Sequence, residues 1–88
     1  MGDFSDFCER FGRRVRDLRR RKGLTQEQMQ DHGFSLRHFQ RIEAGQSVTL
    51  RTVWKLAVAL DVEPRSLLPA GPVARPKAPL KRTPRTRR

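Results

Sequence analysis

The stretch Leu24–Val53, LTQEQMQDHGFSLRHFQRIEAGQSVTLRTV, uses one local pattern three times. Thr25, Ser35 and Thr49 each carry a hydroxyl able to cap a helix N-terminus, and each is bracketed by an apolar pair. The pairs are Leu24 with Met29, Phe34 with Phe39, and Val48 with Val53, the spacing of a hydrophobic staple. At the first start Gln28 adds the reciprocal partner of a capping box. Gly33 and Gly45 are placed to end the first two helices that follow. Three starts so closely set predict short helices joined by tight turns.

Outward from that stretch the apolar spacing stays helical. Phe4, Phe7, Cys8, Phe11, Val15 and Leu18 step by 3, 1, 3, 4 and 3, one stripe on a first helix that Gly23 ends. Downstream, Leu50, Val53, Trp54, Ala57 and Leu60 are expected to line a fourth helix, with Trp54 in the core, and Pro64 opens a last turn containing Leu67 and Leu68. No segment alternates with period two. The expectation is an all-α domain of five helices over residues 1–68.

The charge divides the chain at the same place. Residues 1–68 hold 13 basic and 9 acidic side chains, whereas 69–88 hold 7 basic and none acidic, within a net charge of +11. Five prolines in 69–88 block helix propagation, so a disordered basic tail is expected there. Such a charge selects polyanionic partners. No apolar run reaches the roughly 18–20 residues that span a bilayer, and the acidic start MGDFSDF has no apolar stretch of a secretory leader. A cytoplasmic protein with no membrane partner is expected. Cys8 has no second cysteine, and with His32 and His38 it makes no zinc set, so neither metal nor cofactor is expected. It reads as an inert packed thiol, since no His or acid is placed to activate it. Paired catalytic carboxylates, a nucleophile with its base and a glycine-rich phosphate loop are all lacking, which argues against an enzyme.

Two short capped helices around a tight turn form a helix-turn-helix. Leu18-Arg19, Gly23-Leu24-Thr25-Gln26-Glu27, Phe34-Ser35, Ile42-Glu43-Ala44-Gly45 and Leu56-Ala57-Val58-Ala59-Leu60-Asp61-Val62 together resemble the lambda-repressor-like, or Xre-type, DNA-binding domain over nearly all of residues 9–68. Two spacings depart from that family: Met29 to Gly33 and Gly45 to Thr49 are each one residue short. Gln30 also stands where the family generally has alanine against the recognition helix; it either points outward through a shifted phase or spaces the helix pair apart.

The resemblance implies a sequence-specific regulator of transcription whose third helix, about residues 35–43, enters the major groove of double-stranded DNA. With Phe39 and Ile42 inward, Leu36, Arg37, His38, Gln40 and Arg41 are the base-reading candidates. Arg37 and Arg41 lie one turn apart; a guanidinium matches the O6/N7 edge of guanine, and Leu36 suits a thymine methyl. Gln26 matches the family's phosphate-contacting glutamine, and Thr49 with Arg51 offers a second phosphate clamp. Arg19 and Glu43 match a pair linking the first helix to the end of the third. Arg75, Lys77, Lys81, Arg82 and Arg85 in the tail are expected on phosphates, adding affinity for any DNA. Related repressors pair, so a homodimer is expected, at least on DNA. The alternative is an adaptor or antitoxin-like protein whose main partner is another protein. Phe4 and Phe7, extending the first stripe beyond the family's usual start, either cover the core edge or form a surface for association.

Overall fold

The computed structural model describes residues 3–69, which form three α-helices and two 3-10 helices around one core. They are α1 (Phe4–Arg21), a 3-10 helix (Glu27–His32), α2 (Leu36–Glu43), α3 (Leu50–Leu60) and a closing 3-10 turn (Pro64–Leu67). The five-helix expectation is corrected accordingly, since only three of the five helical segments are α-helical. The tail residues Arg75, Lys77, Lys81, Arg82 and Arg85 lie outside the described residues.

Ser35 and Thr49 cap α2 and α3 as their sequences encode, whereas the first 3-10 helix begins one residue later than expected, with Gln26 at its N-cap position just after the Thr25 bonds. Thr25 and Gln28 exchange two bonds: the Gln28 amide N–H donates to Thr25 Oγ1 at 3.1 Å and the Thr25 N–H to Gln28 Oε1 at 2.8 Å. Ser35 Oγ accepts from the His38 N–H at 3.0 Å, and Thr49 Oγ1 from the Thr52 N–H at 3.1 Å. The rings of Phe34 and Phe39 meet edge to face, 5.8 Å apart, across the Ser35 cap. Asp3 caps α1, accepting from the Asp6 N–H at 2.7 Å.

The first 3-10 helix accounts for the short spacing before Gly33. A 3-10 helix rises about 2.0 Å per residue against 1.5 Å in an α-helix, so six residues cover roughly the length of eight. Met29 is fully buried and Gln30 is exposed, so Gln30 points outward and the helix packs through its neighbour. Gly33, at φ 90°, makes the left-handed turn into α2.

The core joins Phe11, Val15 and Leu18 of α1 to Met29, Phe34, Phe39, Ile42, Val53, Leu56, Ala57, Leu60 and Leu67. Trp54 is not part of it: the side chain is 60% exposed, and Leu50 is 84% exposed. The buried face of α3 is Thr52, Val53, Leu56, Ala57 and Leu60. Its sequence LRTVWKLAVAL is apolar on most sides, so hydropathy alone did not set its rotation; Leu56 faces the core where Trp54 was expected. Leu68 is likewise half-exposed, while Leu67 is buried.

Candidate nucleic-acid interface

Phe39, Ile42 and Glu43 turn one face of α2 into the protein. At 100° per residue the opposite face carries Arg37, Gln40 and Arg41, all exposed. Leu36 is half-buried on the flank. His38 is exposed on the other flank, its ring centroid 6.2 Å from that of Phe34. Of the five base-reading candidates, three therefore share the outermost strip and two border it.

Behind that strip lies a chain of polar contacts. Arg19 grips Glu43 with two bonds, Nε to Oε2 at 2.6 Å and Nη2 to Oε1 at 3.2 Å, and the two side chains are 9% and 2% exposed. Arg19 Nη1 also donates to the Leu24 carbonyl at 2.8 Å, which fixes the turn after α1. Arg16 approaches the same carboxylate at 3.7 Å. Gln26 Nε2 donates to Glu43 Oε1 at 2.9 Å, and Gln26 Oε1 accepts from Gln40 Nε2 at 3.4 Å. A carboxylate only accepts, so it sets the direction of every amide in the series. Gln26 must turn its nitrogen to Glu43 and its oxygen outward, and Gln40 must then turn its nitrogen to Gln26. Gln40 itself is exposed, and this bond uses one of its two N–H donors.

Gln26 is thus half-buried and tied to two partners, beside an open polar cleft lined in part by Arg16, Arg20 and Glu27. At α3, the Thr49 hydroxyl is engaged as a cap and meets Thr52 Oγ1 at 3.2 Å, while Arg51 is exposed.

Two residues that position α2 were not singled out from the sequence. Lys55 Nζ donates to the Gly33 carbonyl at 2.9 Å and lies 4.6 Å from the Phe34 ring centroid, so α3 holds the turn before α2 from behind. Nothing local to Lys55 signals a partner 22 residues away. Gly12 sits where α1 crosses the end of α2, and a Cβ there would stand 2.6 Å from the Ile42 carbonyl oxygen and 2.7 Å from that of Glu43. A glycine on the apolar stripe between Phe11 and Val15 was the available signal.

A family model described as a helix-turn-helix domain matches residues 10–70. The chain belongs to the helix-turn-helix family, of the lambda-repressor-like type. This helix-turn-helix chain is similar to a solved structure, the restriction-modification controller protein C.AhdI from Aeromonas hydrophila, at 41% identity and a TM-score of 0.66. The similarity covers 69% of this chain and 96% of that one. No curated protein matches. Within the helix-turn-helix, the first 3-10 helix and α2 are the two helices, and Gly33 lies in the turn between them. Among the described residues no group of three or more His, Cys, Asp and Glu is placed to hold a metal ion, and no helix is long and apolar enough to cross a membrane.

Proposed function

We propose that the chain is a DNA-binding transcription regulator that reads a specific double-stranded site with α2 in the major groove. The observation that carries this is the strip of Arg37, Gln40 and Arg41, held from behind by buried Phe39, Ile42 and the Arg19–Glu43 pair. Membership of the helix-turn-helix family supports it, as does likeness to a restriction-modification controller. Arg37 and Arg41 supply the fork that matches guanine. Gln40, its amide direction set by Glu43 through Gln26, presents an acceptor and a donor together, the pattern that pairs with N6 and N7 of adenine. Arg51 at the start of α3 and the cleft beside Gln26 take backbone phosphates, which set register without reading sequence.

Arg37→Ala is expected to weaken binding to the selected site by roughly 1–3 kcal/mol while leaving random DNA nearly unaffected. Selection of bound sites from random DNA at fixed salt, followed by titration of site and random duplex, tests this. Equal losses on both would move Arg37 to the phosphates.

The seven positive charges of residues 69–88 add affinity for any sequence. Each phosphate neutralised steepens the dependence of log affinity on log salt by about 0.9, so removing the segment flattens the slope by roughly 3 if about half its charges engage. Site preference is expected to survive, and its disappearance at low salt would show that α2 is not the reader.

A further inference from the structure

Trp54 and Val58 lie one turn apart on α3 and are 60% and 63% exposed. Together with Lys55, Ala59 and His32, the last residue of the first 3-10 helix, they line one open cleft of about 230 Å³. The lining is apolar apart from two basic groups, and no carboxylate is among it. Lys55 is already fixed in direction: its ammonium lies over the Phe34 ring and gives one N–H to the Gly33 carbonyl. An ammonium has three N–H donors, so two remain for a further acceptor. Among the described residues no acid forms an ion pair with it.

We propose that this cleft binds a small aromatic carboxylate, its ring against Trp54 and Val58 and its carboxylate on Lys55 and His32. Size selects the class: roughly 150 Å³ accommodates one benzene, so about 230 Å³ takes one ring and a carboxylate. A mostly apolar lining with a few convergent polar groups is the usual build of a small-molecule site. The ring stacks offset or edge-on against the indole, and the carboxylate accepts from the two remaining ammonium N–H groups without displacing Gly33. Charge selects the sign, since a chain of net charge +11 draws anions to such a cleft and repels cations. A protein partner fits less well. At their exposures Trp54 and Val58 present on the order of 200 Å², against the roughly 800 Å² that each side of a standard interface supplies. None of the lining residues belongs to the strip assigned to DNA, so the site does not rest on that assignment. The ammonium that takes the carboxylate also fixes the turn into α2, so ligand and DNA-facing helix share one anchor.

Trp54 is the chain's one tryptophan and there is no tyrosine, so its emission reports the cleft directly. Titration of the full chain with benzoate at constant ionic strength, over about 0.01–30 mM, is expected to give a saturable change with a dissociation constant on the order of 1 mM, as befits so small a ligand. Benzyl alcohol, which keeps the ring, and acetate, which keeps the carboxylate, should each bind at least about 10-fold more weakly. Lys55→Met is expected to weaken benzoate by about 10-fold, Lys55→Arg to retain it within a few-fold, and Arg37→Ala to leave it unchanged. If Lys55→Met fails to fold without its bond to Gly33, Val58→Asp decides, because that position is exposed and a carboxylate there repels the ligand by a similar factor. Three results overturn the proposal: no saturation throughout the range, benzyl alcohol binding as well as benzoate, or a saturable change that neither foldable variant weakens. So does a Trp54 emission that moves with protein concentration alone, which would give the cleft to a second copy. DNA binding is scored separately: a chain that binds benzoate in this way without selecting a DNA site fails the functional reading and keeps this one.

Discussion

Glu43→Ala is expected to destabilise the fold by roughly 3–5 kcal/mol, because it leaves the Arg19 guanidinium buried without its carboxylate. Small domains hold about 5 kcal/mol in total, so the upper end of that loss would leave about half of the variant unfolded at 25 °C. Removing both partners is a different experiment. In Arg19→Met with Glu43→Leu no charge is stranded, and replacing a buried ion pair by apolar residues of similar volume is often neutral or stabilising. Urea unfolding should therefore show the double variant well above the single one. Site selection should not recover with it, since Gln26 has lost the acceptor that directs Gln40. A single variant costing under about 1 kcal/mol would mean that water reaches Arg19 and that the pair behaves as a surface bridge.

The second large effect runs against helix propensity. In an exposed helix interior, glycine to alanine gains up to about 1 kcal/mol. At Gly12 the same change is expected to cost roughly 1–3 kcal/mol, the range for overpacking, because the added methyl meets two backbone carbonyls that no rotamer change can move aside. Thermal unfolding of Gly12→Ala gives the sign directly. A raised midpoint would show that α1 and α2 separate without loss, and the close crossing would then not be what sets the angle of α2.

Much of this architecture was legible because it is local. Caps and staples involve residues three to five apart, and the hydroxyls of Thr25, Ser35 and Thr49 stand at the starts their neighbours predicted. The outward strip of α2 followed from anchoring Phe39 and Ile42 inward. The character of the second helix was not legible, since a one-residue shortening can be absorbed by looser packing or by a tighter helix, and only the completed core selects the latter. The rotation of α3 escaped for a related reason: a helix apolar on most sides leaves the choice to its packing partners, and Leu56 is buried while Trp54 is 60% exposed. Lys55 reaching the Gly33 carbonyl and Arg14 Nε donating to the Ser66 carbonyl at 2.8 Å are long-range contacts to backbone, which carries no sequence signature.

The series from Arg19 through Glu43 and Gln26 to Gln40 bears on entropy as well as geometry. A long amide side chain immobilised at an interface costs about 0.5–1.5 kcal/mol in lost rotamers. Gln40 is already restrained by Gln26, which is itself restrained by a carboxylate that two arginines approach. Its rotamer freedom is reduced when the chain folds, not when a ligand arrives. Lys55 does the same for the turn leading into α2. A surface ordered in advance favours its one matching partner by a low ordering cost and rejects mismatched ones by its inability to rearrange.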